Sequence, residues 1–497
     1  MAIITRATIM QWIAAFGLLL SLFATTGSAQ SSLPDLVLNG EVTGAQNKTY
    51  FEVPFTVPAG VHRVSVDFSY TAKEQRATLD LGVFDPERFR GESGGNKSHF
   101  TISETDATPS YLPGSIPAGV WHLLIAVPNM RPRTVSHYHA EIRFNARDED
   151  SSFTAHPLEF GTRWYRGDLH MHTAHSDGSC SSQSGSMVPC PLFLSVETAA
   201  ARGLDFIAIT DHNATSQYDD MRELQPYFDR VLLIPGREMT TFYGHFNIFG
   251  VTQFIDFRVT PGGLNLNTVL RNVKSMGGIA SISHAEAPGG EACMGCRWEP
   301  PTPVDMNLFA AVEVINGGQI MFSSAKFWDE QLRAGNRLAA IGGSDSHNAT
   351  HPPGPPGSVG WPITAVEADE LSVPAILNGI RAGRTFVDLT ASHDKAVDFE
   401  AESAGSQARM GGTLRAAAGA PIHVQIHLVA CAGDAIHLLM DGEETAAAPP
   451  LPVDSAIFNG TATLTANADR HWLRVEVRDS KGNLQLLSSP LYINFPD

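Results

Sequence analysis

His170 and His172 stand one residue apart in Tyr-Arg-Gly-Asp-Leu-His-Met-His-Thr, and several short apolar runs downstream end in metal-ligating residue types. Ile-Thr-Asp-His ends at His212, Pro-Gly-Arg-Glu at Glu238 and Ser-Ile-Ser-His at His284. Gly-His-Phe-Asn carries His245, and Gly-Gly-Ser-Asp-Ser-His holds Asp345 and His347. Neutral imidazole and carboxylate are the ligands that hold zinc, manganese or iron. Side chains two apart on a strand share a face, so His170 with His172, and Asp345 with His347, can each grip an ion together. Asp177, in Ser-Asp-Gly, can bend back from a loop, and the two oxygens of Glu238 can bridge two ions. Asp168 is the expected acceptor that fixes a histidine tautomer from behind the ligands. Each piece alone is a weak signal. Together they end separate hydrophobic runs, where burying them unpaired would cost several kcal/mol each. The pattern predicts a multinuclear centre of divalent transition-metal ions (Zn, Mn or Fe).

The elements that must position these groups change character along the chain. From Ser31 to Phe153, short alternating runs such as Val61–Tyr70, Ala77–Phe84, Trp121–Val127 and Tyr138–Phe144 are separated by turn residues, which suits a β-sandwich. After an acidic linker at Arg147–Ser152, buried-strand runs alternate with helical segments. Asp205–Thr210, Val231–Pro235, Gly278–Ser283, Ala311–Ile315 and Leu338–Gly342 read as strands. Leu192–Arg202, Leu266–Met276, Ala325–Ala334 and Val373–Ala382 read as helices. This alternation over residues 160–391 predicts a parallel sheet, open or closed as a barrel, with the site at the strand carboxyl ends. Residues 392–497 return to strand alternation, as in Ile422–Leu428 and His471–Asp479, and predict a second β-sandwich.

The ordered set Asp-Leu-His-x-His-Thr…Ser-Asp-Gly, Thr-Asp-His-Asn, Gly-x-Glu…Gly-His-x-Asn, Ser-His and Ser-Asp-x-His resembles the polymerase and histidinol phosphatase (PHP) domain. The flanking β-domains, the leader and the Gly-His-Phe-Asn variant resemble its CehA/McbA-type metallohydrolase branch. The match spans Tyr165 to about Thr390. The resemblance implies a distorted barrel of seven strand–helix units. It also implies His170, His172, Asp177, His212, Glu238, His245, His284, Asp345 and His347 as ligands, with Glu238 bridging. Some PHP proteins carry a histidine where Asp177 stands and hold three metals, so the ion count stays open between two and three.

A formal charge of −18 argues against a nucleic-acid backbone as partner, since that interface needs Lys and Arg in excess. Residues 1–29 read as a secretory signal, with Arg6 at its start, an apolar stretch from Trp12 to Phe23, and Gly27-Ser28-Ala29 for cleavage. The mature protein is therefore expected to be exported and soluble, and periplasmic in a Gram-negative source. Five cysteines fit an oxidising compartment. Two local disulfides, within Cys180/Cys190 and Cys293/Cys296, with Cys431 left over, are expected; a redox pair or zinc clamp at Cys293-x-x-Cys296 is the sharper alternative.

The predicted chemistry is hydrolysis at an electrophilic phosphorus or carbonyl carbon by a metal-bridging hydroxide. Asp345, Glu238 and His212 are the candidate catalytic residues, Asp345 being placed to relay the proton. The PHP resemblance implies phosphoester hydrolysis, and the CehA/McbA branch implies carboxylic or aryl carbamate esters. Arg297, Arg237 and Lys326 are available to meet a phosphate, and Arg297, downstream of His284, is the candidate substrate-binding residue. The expected partner is a small-molecule ester, and the sequence leaves the oligomeric state open. A non-enzymatic glycan-binding protein with a structural metal centre is the remaining alternative.

Overall fold

The computed structural model describes residues 33–496, apart from 146–152, 155, 319–321, 355 and 468. The proposed leader and the acidic linker lie outside the described residues. The N-terminal strands are β1 (Leu36–Thr43), β2 (Tyr50–Val57), β3 (Arg63–Tyr70), β4 (Thr78–Phe84), β5 (Phe89–Glu92), β6 (His99–Ser103), β7 (Gly119–Asn129) and β8 (Val135–Phe144). They form two four-stranded antiparallel sheets, ordered β1-β8-β3-β6 and β2-β7-β4-β5. Alternate side chains of each sheet point inward, so that Val64, Val66, Leu81, Val83, Trp121, Leu123 and Ile125 share one buried core.

The central unit starts with β9 (Phe160–Asp168), a small hairpin of β10 (Ser179–Ser181) and β11 (Met187–Pro189), and α1 (Leu192–Ala201). It continues through β12 (Phe206–Ile209), α2 (Gln217–Leu224), β13 (Leu232–Thr241), β14 (Gly244–Phe249), α3 (Leu266–Ser275) and β15 (Ile279–Ile282). It ends with β16 (Ala311–Asn316), the short β17 (Phe322–Ser323), α4 (Ala325–Ala334), β18 (Ala339–Gly343), β19 (Ile363–Glu370), α5 (Val373–Arg381) and β20 (Thr385–Asp388). Helix α3 starts where the Asn265 side chain accepts the Thr268 N–H, and α5 where Ser372 does the same for Ala375. Gly335, in the left-handed region at φ 103°, stops α4.

The main sheet is mixed where a parallel one was expected. Pairing is parallel across β9–β12–β13 and β15–β16–β18, and antiparallel at β13–β14, β14–β15, β9–β19 and β19–β20. Connection length explains the break. Only Phe242 and Tyr243 join β13 to β14, and a two-residue turn can return a strand only antiparallel, whereas a parallel return needs a crossover of a dozen or more residues. The unit has five α-helices among the described residues, and only 3-10 turns lie between β15 and β16, so the seven strand–helix repeats implied by resemblance are not all present. The sheet curls until β18 lies against β19 and β20. There the Gly342 N–H donates to Thr364 Oγ1, and Thr385 Oγ1 donates to the Ala340 carbonyl.

The C-terminal strands Ala396–Ser403, Ser406–Arg409, Pro421–Val429 and Ile457–Thr465 form one antiparallel sheet. The facing layer is not freestanding: Leu484–Ser488 pairs with β20, with Val387 opposite Leu487. This covers an otherwise open edge of the central sheet. The core follows, with Ala365 and Phe386 packed among Val424, Leu473 and Val475. No helix among the described residues is long and apolar enough to cross a membrane.

A buried ion cluster docks the N-terminal sheets onto α2. Asp106, fully buried, accepts from Arg63 at 2.8 Å and from Arg222 Nε at 2.7 Å, and the Ala107 N–H donates to Asp219. Burial raises the proton affinity of the Asp106 carboxyl, but the two guanidinium groups override it and hold the group well below the usual carboxylate range. A depressed carboxylate contributes stability above its unfolded value, about 3.9, and loses it as pH falls toward the folded value. Asp106→Asn should therefore cost about 3 kcal/mol at pH 7 in denaturant unfolding, with the gap to wild type closing progressively below about pH 4. An equal gap at pH 7 and pH 2 would contradict this account.

Candidate metal centre

All nine expected ligands converge at one end of the central sheet. His170 and His172 lie on extended chain just beyond β9, His212 beyond β12, His284 beyond β15, and Asp345 and His347 beyond β18. Glu238 and His245 come from the two strands of the β13–β14 hairpin. Asp177 reaches in from the loop after His172. Their ligand atoms fall into four overlapping groups: His170/His172/Asp345, His170/Glu238/His284, His212/Glu238/His245 and His172/Asp177/His212/His347. The three candidate catalytic residues, Asp345, Glu238 and His212, are all among them.

Separations within the groups fit a shared cation. Tetrahedral ligands at about 2.0–2.1 Å from an ion stand about 3.3 Å from each other. His170 Nε2 is 3.4 Å from both Glu238 Oε2 and Asp345 Oδ1, and His172 Nε2 is 3.1 Å from Asp345 Oδ1. His347 Nε2 is 3.3 Å and His212 Nε2 3.7 Å from Asp177 Oδ1. The hydrogen-bond inventory points the same way. His170 Nε2, His172 Nδ1, Glu238 Oε2, His245 Nε2 and His284 Nδ1 are buried without a hydrogen-bond partner. Buried polar atoms are rarely left so, and five of the seventeen such side-chain atoms among the described residues belong to the predicted ligands. The donor set of imidazoles and carboxylates fits divalent transition ions.

The surroundings fix the ligands from behind. His170 Nδ1 donates to Glu313 Oε1 at 2.9 Å, which leaves Nε2 with its lone pair toward the centre. His347 Nδ1 donates to the Asp345 carbonyl at 2.9 Å, with the same effect on its Nε2. His212 Nδ1 meets Thr240 Oγ1 at 2.6 Å. His284 and Asp345 are held at φ 28° and 49°, a left-handed conformation that costs non-glycine residues about 1–3 kcal/mol each. Specific bonds hold them there. The His284 N–H donates to Glu313 Oε2, and the Asp345 N–H donates to the His170 carbonyl.

The charges of the cluster are mutually dependent. Burial alone would raise the proton affinity of Glu238 and Asp345, yet the facing imidazoles hold both carboxyls well below their usual range. Burial would lower His170, but Glu313, Asp345 and Glu238 raise it well above an ordinary imidazole. Burial and the neighbouring His347 push His172 down to about 4, while Asp177 and Asp345 overcome burial to bring His347 up to about 9.

Several expectations need correcting. Asp168 does not set a histidine tautomer: its oxygens accept the backbone N–H groups of His170, Ser344 and Gly360 and so lock the ligand loops. Glu313 does the work assigned to it. The signal was present, a carboxylate in the middle of the apolar run Ala311-Val-Glu-Val-Ile, but Glu313 does not end that run. Asn316 was also missed; its Nδ2 lies 3.1 Å from Glu313 Oε2 and 3.2 Å from Asp345 Oδ2. Arg297 is exposed and its Nε donates to the Ala287 carbonyl, so the structure does not bring it to the ligands. Arg237 neighbours Glu238 in β13 and therefore faces away from it, with Nη2 on the Gln253 carbonyl. Lys326 is exposed on α4. Cys180 pairs with Cys190 and Cys293 with Cys296, and Cys431 is a buried thiol pushed up to about 11 by burial.

No protein-family model matches the chain, and no curated protein matches it. Among solved structures, the chain is similar to a two-domain protein from Bacteroides vulgatus described as containing a predicted PHP-like metal-dependent phosphoesterase. The identity is 18% and the TM-score 0.36, over 67% of this chain and 96% of that one.

Two outcomes test the centre. Glu313→Gln should weaken binding of Zn2+ or Mn2+ by about 10- to 100-fold in a chelator-competition titration; unchanged affinity would remove Glu313 from the centre. Ligand imidazoles carrying protons near neutral pH, His347 foremost, must lose them to an ion. Calorimetry of Zn2+ binding at pH 7 in buffers of different ionisation enthalpy should therefore read net proton release; none would contradict the assignment.

Proposed function

We propose that the chain is an exported hydrolase of the PHP type that uses divalent transition ions to cleave phosphoesters. The observation that carries the reading is the convergence of nine imidazole and carboxylate side chains from four strand ends and one hairpin, five of them with a buried polar atom left without a hydrogen-bond partner. Ions held there would activate water and neutralise charge developing on the substrate. His170, His172, Asp177, His212, Glu238, His245, His284, Asp345 and His347 would hold two or three of them. Asp345 turns Oδ1 to the histidine pair while Asn316 holds Oδ2, so the ionised carboxylate is poised to take a proton from the attacking water. Glu238 touches His170, His212, His245 and His284 and ties the groups into one centre.

Charge supports a phosphate substrate if the centre fills completely. Asp177, Glu238, Asp345 and Glu313 supply four carboxylates, which balance two divalent ions; a third leaves two positive charges, suited to a phosphomonoester. A second reading, a carboxylic or aryl carbamate ester hydrolase of the CehA/McbA type, is favoured by one observation. Among the described residues, the ion pairs of the nine ligands run only to one another and to Glu313, with no Lys or Arg beside them.

The test is turnover of a panel of aryl phosphomonoesters, phosphodiesters, carboxylic esters and carbamates, with and without chelator. Metal-dependent phosphoester cleavage that falls about a thousandfold or more in His170→Ala/His172→Ala is expected. Cleavage of the carbon esters alone selects the second reading. Turnover that survives chelation but is lost in Cys293→Ser would overturn both in favour of a thiol-dependent reaction.

A further inference from the structure

The groups of the centre differ in their access to solvent. His170, His172 and Glu238 have side chains at most 1% exposed, whereas those of Asp177, His212 and His347 are 58%, 27% and 35% exposed. The last three, with His172, form the outer group. They sit on three different loops, so its geometry depends on how those loops are tied together. The carboxylate of Asp177 meets only His172, His212 and His347 among the described residues, and its position must come from the chain around it.

Two ties hold that chain to the His212 loop. The inner one is Asp211, fully buried, which accepts the Thr173 N–H and Oγ1–H at 2.7 Å and the Ser176 hydroxyl at 2.5 Å. The outer one is His175, two residues before Asp177. Its Nδ1 lies 2.8 Å from Ser216 Oγ, four residues beyond His212, and its Nε2 lies 3.0 Å from Asp220 Oδ2 on α2. The ring bridges the two loops that carry Asp177 and His212 and touches no ligand itself.

We propose that His175, gripped by Ser216 and Asp220, is a positioning residue that sets the affinity of the outer ion site made by Asp177, His212 and His347. The inference rests on the metal-centre reading above and concerns its most exposed part. Without the bridge, the Asp177 loop keeps its ties through Thr173 and Ser176 to Asp211 and through the Ser179 N–H to the His347 carbonyl, but loses its side-chain link to Ser216 and α2, so its spacing from the His212 loop is less tightly set. The two groups that contain neither Asp177 nor His212, His170/His172/Asp345 and His170/Glu238/His284, are anchored by Glu313 and Asp168 and do not depend on it. Filling of the outer site decides whether the centre is neutral or carries two positive charges, so His175 would act on the charge of substrate accepted.

The test is a Zn2+ titration of the full chelated chain against a competing chelator, resolved into tight and weak binding classes. Wild type should show both. His175→Ala should weaken the weak class by about 10- to 100-fold and leave the tight class unmoved, while His175→Gln, which keeps a donor for Asp220 and an acceptor for Ser216, should recover most of the loss. Asp220→Ala, a change on an exposed helix face, should shift the same class in the same direction and keeps the inference testable if His175→Ala does not fold. An unchanged weak class in both alanine variants, or equal weakening of both classes, overturns the proposal alone. A wild-type chain that binds no Zn2+ overturns the metal centre with it.

Discussion

The structure depends on the compensation of charge around one buried carboxylate. Glu238 has no access to water, and it is surrounded by imidazoles of four separate chain segments, His170, His212, His245 and His284. A lone carboxylate in that position would be protonated, at a cost of several kcal/mol to the fold. Each imidazole around it needs in turn a partner for its second nitrogen. Glu313 meets that need for His170, and Asp177 faces the second nitrogen of His212, whereas His245 Nε2 and His284 Nδ1 are left without a hydrogen-bond partner. A set of groups that cannot satisfy itself internally is one arranged for cations.

The surrounding elements follow from that requirement. Short strands with fully buried apolar residues, such as Phe206–Ile209 and Ile279–Ile282, bring their following residues to one rim of the sheet. The β13–β14 hairpin delivers Glu238 and His245 from neighbouring strands. Asp168 collects the backbone donors of three loops, and the left-handed turns at His284 and Asp345 aim side chains that ordinary strand geometry would direct elsewhere. The outer sheets brace the unit, the N-terminal pair through the Asp106 cluster and the C-terminal strands by pairing with β20.

The ligands were legible in the sequence because each ends or follows an apolar run, and hydrophobic patterning marks where such runs end. Four helices were legible for the same reason, within a residue or so at their ends. Helix α2 was not, since its polar run Gln217–Leu224 lacks a broad apolar stripe. The mixed sheet escaped notice because the hairpin turn Phe242–Tyr243 contains none of the Gly or Asn residues that announce tight turns. Glu313 and Asn316 escaped because their role lies in contacts with β9 and β18 segments distant along the chain. Asp168 was placed at the site but given the wrong partners: spacing sets which face a residue occupies and does not say which donors arrive there. Nearness in sequence likewise misled for Arg237 and Arg297.

The most direct measurement is anomalous X-ray scattering from crystals of the protein purified without chelator, collected across the absorption edges of Zn, Fe and Mn. The account predicts anomalous peaks bound by Glu238 and its histidines at about 2.0–2.2 Å from the ligand atoms. Density in which the same imidazoles and carboxylates are bridged only by water, after growth in metal-replete medium, would contradict it.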